Sequence, residues 1–237
     1  MFFDILTLFP EMFTGVFEES ILKRARERNL VSIATHDIRA FSENKHRKVD
    51  DYPYGGEAGM LMRPEPVCRA VEYCKAEREG YNPTVVFLTP RGEPFSHTVA
   101  YELAETDGLV LLCGHYKGID ERAVSTCVDR EISLGDFVLS GGEIGAMAIV
   151  DAVSRLLPGV LGNSQSASLD SHYDGLLSAP AYTRPEEYKG LRVPEILLSG
   201  HHKKIAEWKQ HVSQELTKKR RPDLWDAYRQ KMENGGL

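Results

Sequence analysis

The sequence predicts an α/β sheet domain followed by a small helical domain. Three observations carry this reading. Over the first 160 residues, short β-type runs alternate with helical ones. Residues 162–175 are small and polar, with almost nothing to bury. Beyond them, apolar residues recur at helical spacing.

The elements follow in order. Phe2 to Phe9 is apolar and β-rich and reads as a strand. Pro10 to Asn29 reads as a helix, because Phe13, Phe17, Ile21 and Ala25 form one stripe. Val31 to Ile38 is the next strand, and the polar stretch Ser42 to Glu57 is a long loop of the kind that usually carries function. Helix Pro66 to Glu79 precedes strand Val85 to Thr89. A further helix is capped by Ser96 and turns Val99 and Leu103 inward. Strand Leu109 to Cys113 then runs into a glycine-bearing loop. Gly142 to Leu157 is helical and apolar nearly all round, so it must be buried on most sides, as in a subunit interface. After the polar stretch, Tyr182 to Gly200 is irregular, and His202 to Lys218 and Pro222 to Met232 are helices. Ile205, Trp208, Val212 and Leu216 share one face of the first of these.

Composition excludes several classes. The chain has 237 residues, 42% of them hydrophobic, which suffices for a real core. Its longest apolar runs, such as Leu109–Leu112, are far below the roughly 18 residues of a membrane span. The start, Met1–Leu6, lacks a basic region and cleavage site, so a cytoplasmic location is expected. Cys68, Cys74, Cys113 and Cys127 form no C-x-x-C pair and have no matching histidine spacing, which points to reduced thiols and to no metal site. A net charge of −6 argues at first against a nucleic-acid partner. The distribution argues otherwise, since residues 201–237 carry nine Lys or Arg against five Asp or Glu, together with Trp208 and Trp225. A second basic knot stands at Lys45–Lys48.

The most informative stretches are Leu112–Arg122 (LCGHYKGIDER) and Ile132–Glu143 (ISLGDFVLSGGE). Each is a glycine-bearing loop leaving a short strand, suited to gripping a small ligand by main chain. Neither fits G-x-G-x-x-G or the P-loop, so a dinucleotide or nucleotide-triphosphate enzyme is disfavoured. Together with Phe9–Phe13, His46–Asp51, Pro53–Gly56, Pro158–Gly162, Ala181–Pro185 and Leu197–Gly200, they closely resemble the bacterial tRNA (guanine-37-N1)-methyltransferase family, TrmD, of the SPOUT class of S-adenosylmethionine enzymes.

That resemblance implies a SPOUT-type α/β fold with a deep trefoil knot and three segments: a catalytic domain over residues 1–161, a flexible linker over 162–175 and a helical tRNA-binding domain over 176–237. It implies a homodimer with the active site at the subunit interface, and guanine 37 preceded by guanine 36 as the target. Cofactor contacts carried over are Phe87, Leu88, Thr89, Gly114, Tyr116, Gly118, Leu134, Gly135, Asp136, Phe137, Val138, Leu139, Gly141 and Gly142. Contacts to the anticodon stem-loop are His46, Arg47, Asp50, Gly55, Gly56 and Gly59, with Arg184, Ser199, His202 and Trp208 from the second domain.

Guanine N1 carries a proton and is a poor nucleophile until a general base removes it. By similarity that base is Asp170. A carboxylate of ordinary acidity needs help, because charge develops on O6 as the proton leaves; Arg155 matches the family's arginine for this task. Two departures stand out. Lys117 replaces a glutamate linked in the family to magnesium, and an ammonium group cannot bind a cation, so the resemblance leaves magnesium open as a cofactor, with Lys117 the candidate to supply positive charge directly. The Gly55–Gly59 segment also lacks the usual three consecutive glycines. The rival readings are another SPOUT methyltransferase, acting on ribose 2′-O or a different RNA, and a non-catalytic RNA-binding module.

Overall fold

The computed structural model describes residues 1–78, 80–162 and 170–234. The chain forms two compact units, Met1–Gly162 and Asn163–Leu237. Part of the stretch expected as a linker, residues 163–169, lies outside the described residues.

The first unit is organised by a five-stranded sheet of β1 (Phe2–Thr7), β2 (Ser32–Asp37), β5 (Thr84–Pro94), β6 (Gly108–Cys113) and β7 (Arg130–Ser133). Their order is β2-β1-β6-β5-β7, and every pairing is parallel. Alternate residues feed two cores. Phe3, Ile5, Leu109 and Leu111 face α1 (Ser20–Glu27), α3 (His97–Ala104) and α5 (Glu143–Ser154). Leu6, Val85, Val110 and Leu112 face α2 (Pro64–Ala76) and α4 (Glu121–Cys127). Covered on both faces, β1 and β6 are buried at every position, which is why they read as mostly apolar runs rather than alternating ones, with Asp4 and Thr7 the polar residues of β1.

The helix expected over Pro10 to Asn29 is instead three pieces: 3-10 turns at Pro10–Phe13 and Val16–Glu18, then α1. The breaks fall at Gly15 and at Ser20, whose φ of +53° leaves the helical region. Arg26 donates to the Phe17 carbonyl that the break leaves open (3.1 Å). Phe13 and Phe17 are buried all the same, stacked with ring centres 5.6 Å apart, so the apolar stripe marked the core while misleading about the backbone. Helix α4 is an element that sequence periodicity did not separate from the first glycine loop; the Asp120 carboxylate caps it by accepting from the Arg122 amide (2.9 Å). The long polar loop contains β3 (Asp50–Asp51), which pairs antiparallel with β4 (Leu61–Met62) just beyond it.

One buried polar cluster interrupts the α2 face. Asp4 accepts two bonds from Arg78 (2.9 and 3.0 Å) and one from the His36 ring (2.9 Å), and Cys74 lies beside them. Burial alone raises the Asp4 carboxyl, but the hydrogen bonds and charges of His36 and Arg78 outweigh it and hold it below its ordinary value. The ligand atoms of Asp4, His36 and Cys74 lie within 4.8 Å of one another, a grouping that sequence spacing did not reveal. Arg78, however, already occupies both Asp4 oxygens.

The second unit holds a two-stranded hairpin, β8 (Glu187–Tyr188) with β9 (Leu191–Arg192), then α6 (Glu195–Leu198), α7 (His202–Arg220) and α8 (Pro222–Glu233). Its small core gathers Leu176, Ser213, Thr217 and Tyr228. The Thr217 hydroxyl donates to the Ser213 carbonyl (2.7 Å) and accepts from the Leu177 amide (2.9 Å), pinning the segment after Gly175 to α7. The described chain contains no helix long and apolar enough to cross a membrane.

Candidate functional site

Strands β5, β6 and β7 end at the same edge of the sheet, the edge where ligands bind in open parallel α/β folds. A pocket opens there. Its walls are Phe87–Pro90 at β5, Gly114–Gly118 in the first glycine loop, Ile132–Gly135 and Phe137–Gly142 in the second, and Gly145 of α5. Every residue expected at the methyl donor lines this pocket except Asp136, which is exposed and outside the lining.

Local structure explains the pocket's form. The pairing of β5 with β7 slips between Leu88 and Glu93, and the intervening excursion carries Thr89 and Pro90 to the lining. Gly92 permits the slip: a Cβ there would stand 2.4 Å from the Glu131 backbone. The first loop lies against the β4 segment, with Lys117 N donating to Met60 O, Met62 N to Gly118 O and Asp120 N to Met62 O, each at 3.0 Å. Gly118 turns the chain there at φ +124°, a conformation that side chains resist.

The two loops are joined directly. The Gly142 amide donates to the Gly114 carbonyl at 3.0 Å. Space is tight at the junction, where a Cβ on Gly142 would meet Cys113 Cα at 2.7 Å and one on Gly114 the Phe87 ring at 2.8 Å. Glycine main chain and apolar walls line the cavity, the donor set that an adenosine-bearing ligand needs, and side chains at Gly114 and Gly142 would force the loops apart. The residues fit S-adenosylmethionine.

Beneath the pocket lies a network that sequence reasoning did not pick out. Glu143, 1% exposed, accepts from the Thr7 hydroxyl (2.7 Å) and pairs with the His115 ring (3.1 Å). Thr7 accepts in turn from the Phe9 amide (2.9 Å), and the Phe9 and His115 rings stand 4.8 Å apart. No local pattern could have shown this, since Thr7 and Glu143 are 136 residues apart.

Lys117 lies over the glycine segment; a Cβ on Gly59 would meet its Cγ at 2.9 Å. Among the described residues, the group of acidic, histidine and cysteine side chains close enough to share a cation is Asp4, His36 and Cys74, none of which lines the pocket. The pocket lining around Lys117 holds no carboxylate.

The remaining expected residues are distributed as follows. Arg155 is half-buried just past the end of α5, and Asp170 is exposed and belongs to the second unit. His46, Arg47, Gly55, Gly56 and Gly59 are exposed in the loop of the first unit, with Asp50 half-buried on β3. Arg47 takes φ +52° in a turn closed by its amide on Asn44 O (2.8 Å). In the second unit, Arg184, Ser199 and His202 are exposed and Trp208 is half-buried on α7. Helix α5 is less covered than its composition suggests: Ile144 is 53% exposed and Ala148 is exposed beside it.

Comparison with known proteins adds an independent line. Residues 1–227 match the family described as tRNA (Guanine-1)-methyltransferase TrmD. A protein of Geobacter sp. (strain M21) named tRNA (guanine-N(1)-)-methyltransferase is 57% identical over 227 residues, covering 96% of this chain and 90% of the relative. Proteins of the same name from Desulforamulus reducens and Clostridium beijerinckii are 56% and 55% identical, covering 93% and 94% of this chain and 87% and 91% of theirs.

Proposed function

The chain belongs to the tRNA (guanine-1)-methyltransferase TrmD family, and from that premise we propose that it transfers a methyl group from S-adenosylmethionine to N1 of guanine 37 in tRNAs with guanine at position 36. The observation that carries this reading is the pocket at the ends of β5, β6 and β7, whose lining takes in all but one of the residues expected at the donor. Gly114, Gly118, Gly141 and Gly142 would hold the donor by main chain, with Leu134, Phe137, Val138 and Leu139 as apolar walls. The donor supplies an electrophilic methyl on sulfonium sulfur.

Asp170 takes the proton from guanine N1, and the Arg155 guanidinium offsets the negative charge that develops on O6. Lys117 adds positive charge where relatives of the family place a carboxylate, so turnover proceeds without a bound magnesium ion. His46, Arg47, Asp50 and the glycines at 55, 56 and 59 receive the target base, which leaves its stack for the reaction. Arg184, Ser199, His202 and Trp208 hold the anticodon stem-loop. The sheet and its glycine loops form the trefoil knot of the SPOUT class. Two copies pair about α5, covering Ile144 and the neighbouring exposed Phe9 and Met12, and complete each active site at their interface. The enzyme works in the cytoplasm.

The test is incubation of the purified protein with labelled S-adenosylmethionine and tRNA transcripts that differ only at nucleotides 36 and 37. Methylation lost on replacing guanine 37 is the expected result. Label appearing on ribose, or appearing equally whatever stands at 37, overturns the assignment.

A further inference from the structure

We infer that Glu143 is a positioning residue for the methyl donor: its buried carboxylate fixes the two glycine loops and the end of β1 in the shape of the pocket. The inference rests on the reading of that pocket as the donor site. Three chain segments meet at this one group. Thr7 terminates β1, His115 belongs to the first loop, and Glu143 opens α5 directly after the second. Each carboxylate oxygen is used, Oε1 by the Thr7 hydroxyl (2.7 Å) and Oε2 by the His115 ring (3.1 Å). Glu143 also stands in the first turn of α5, where the helix's open amides lie.

Gly141 supplies a second, independent observation. A Cβ at this position would lie 2.2 Å from His115 Nε2 and 2.3 Å from Glu143 Oε2. The second loop therefore closes directly over the Glu143–His115 hydrogen bond, and its path is set by the pair's position. His115 also lines the cavity, so a shift of the pair moves a wall of the site. Glu143 itself is absent from the lining, so it acts on the donor through His115 and the loops.

An amide in place of the carboxylate keeps the volume but offers an N–H₂ group to one of two neighbours that now donate to it. A bond to a charged acceptor contributes more than a neutral one, so Glu143→Gln should raise the dissociation constant for S-adenosylmethionine about tenfold. Turnover at saturating donor should stay within about twofold of the parent, because the residue does not touch the reacting atoms. Calorimetric titration of the donor into the folded variant, with a thermal melt of the same sample, measures both binding and folding. Thr7→Val provides a second probe, removing one donor to the carboxylate without changing its charge, and should weaken donor binding with the same split. Unchanged affinity in these folded variants, with or without a lower melting temperature, reduces Glu143 to a purely structural hydrogen-bonding residue and overturns the inference. Failure of the parent protein to bind S-adenosylmethionine refutes the reading of the pocket instead, and is seen before any variant is made.

Discussion

Gly142→Ala tests whether close approach, rather than flexibility, is what the junction of the two loops requires. Gly142 has φ −78°, a conformation open to any residue, so the substitution carries no backbone strain of its own. Its cost comes from space. The new Cβ would stand 2.7 Å from Cys113 Cα and 3.1 Å from Leu88 Cβ, where ordinary contact begins at 3.4 Å. Cys113 Cα belongs to a fully buried strand and cannot yield, so the loop must retreat by about 0.7 Å. That displacement stretches the bond from the Gly142 amide to the Gly114 carbonyl from 3.0 Å to a length at which it no longer counts. Overpacking contributes about 1–3 kcal/mol and the lost bond about 1 kcal/mol. If about 2 kcal/mol of this falls on the pocket, donor affinity drops roughly 30-fold. Gly118→Ala is the control of opposite kind: its φ of +124° is strained for alanine, yet nothing stands within 4 Å of the added methyl. Titration calorimetry of S-adenosylmethionine into both variants decides the matter. Donor binding by Gly142→Ala indistinguishable from the parent would refute the steric argument.

Three further outcomes are expected. Asp170→Asn should lower turnover by a factor of about 10² or more while leaving donor binding intact; guanine methylation at the parental rate would remove Asp170 from the role of base. Because Lys117 stands over Gly59 and no carboxylate group for a cation lines the pocket, a chelator should leave methylation rates unchanged, and a strong loss would show that the lysine does not replace a metal. The Asp4 carboxyl titrates below its ordinary range, so its contribution to stability is complete above about pH 4 and drains away as pH falls through the lowered folded-state value. Asp4→Asn should therefore cost about 2 kcal/mol near neutrality, less than a fully enclosed pair because Arg78 and His36 remain partly exposed. The gap from the parent should close in acid denaturation profiles; a gap that persists at pH 2 would assign the loss to packing.

The sequence was most informative where one local rule governs. Strands β1 and β6 announced themselves because both faces are covered and only Asp4 and Thr7 interrupt the apolar positions. Ser96 capped its helix as read, accepting from the Val99 amide. The two glycine loops were legible in composition, whereas the rest of the lining, Phe87–Thr89 included, was expected only through the family resemblance. Less legible were features settled by contacts distant along the chain. The slip in β5 arises because β7 pairs with it on both sides of the excursion, Val86–Leu88 and then Glu93–Pro94, and nothing in the local pattern prescribes that. Apolar periodicity over residues 10–29 suited one helix, but tertiary burial of Phe13 and Phe17 is satisfied by two tight turns. Glu143 ended a recognisable motif and drew no notice, since its partners come from segments 28 and 136 residues away.

Leu88 shows where these levels meet. It contributes to the interior around α5, stands against Gly142 and Gly145, and lines the pocket. A larger or smaller group at this point would alter folding and ligand capacity in one stroke, leaving no separate dial for either. Variation here would have to proceed through matched exchanges, the bulk lost at 88 being made up at 142 or 145, and an inhibitor wedged against this leucine would meet little freedom for escape by single replacement.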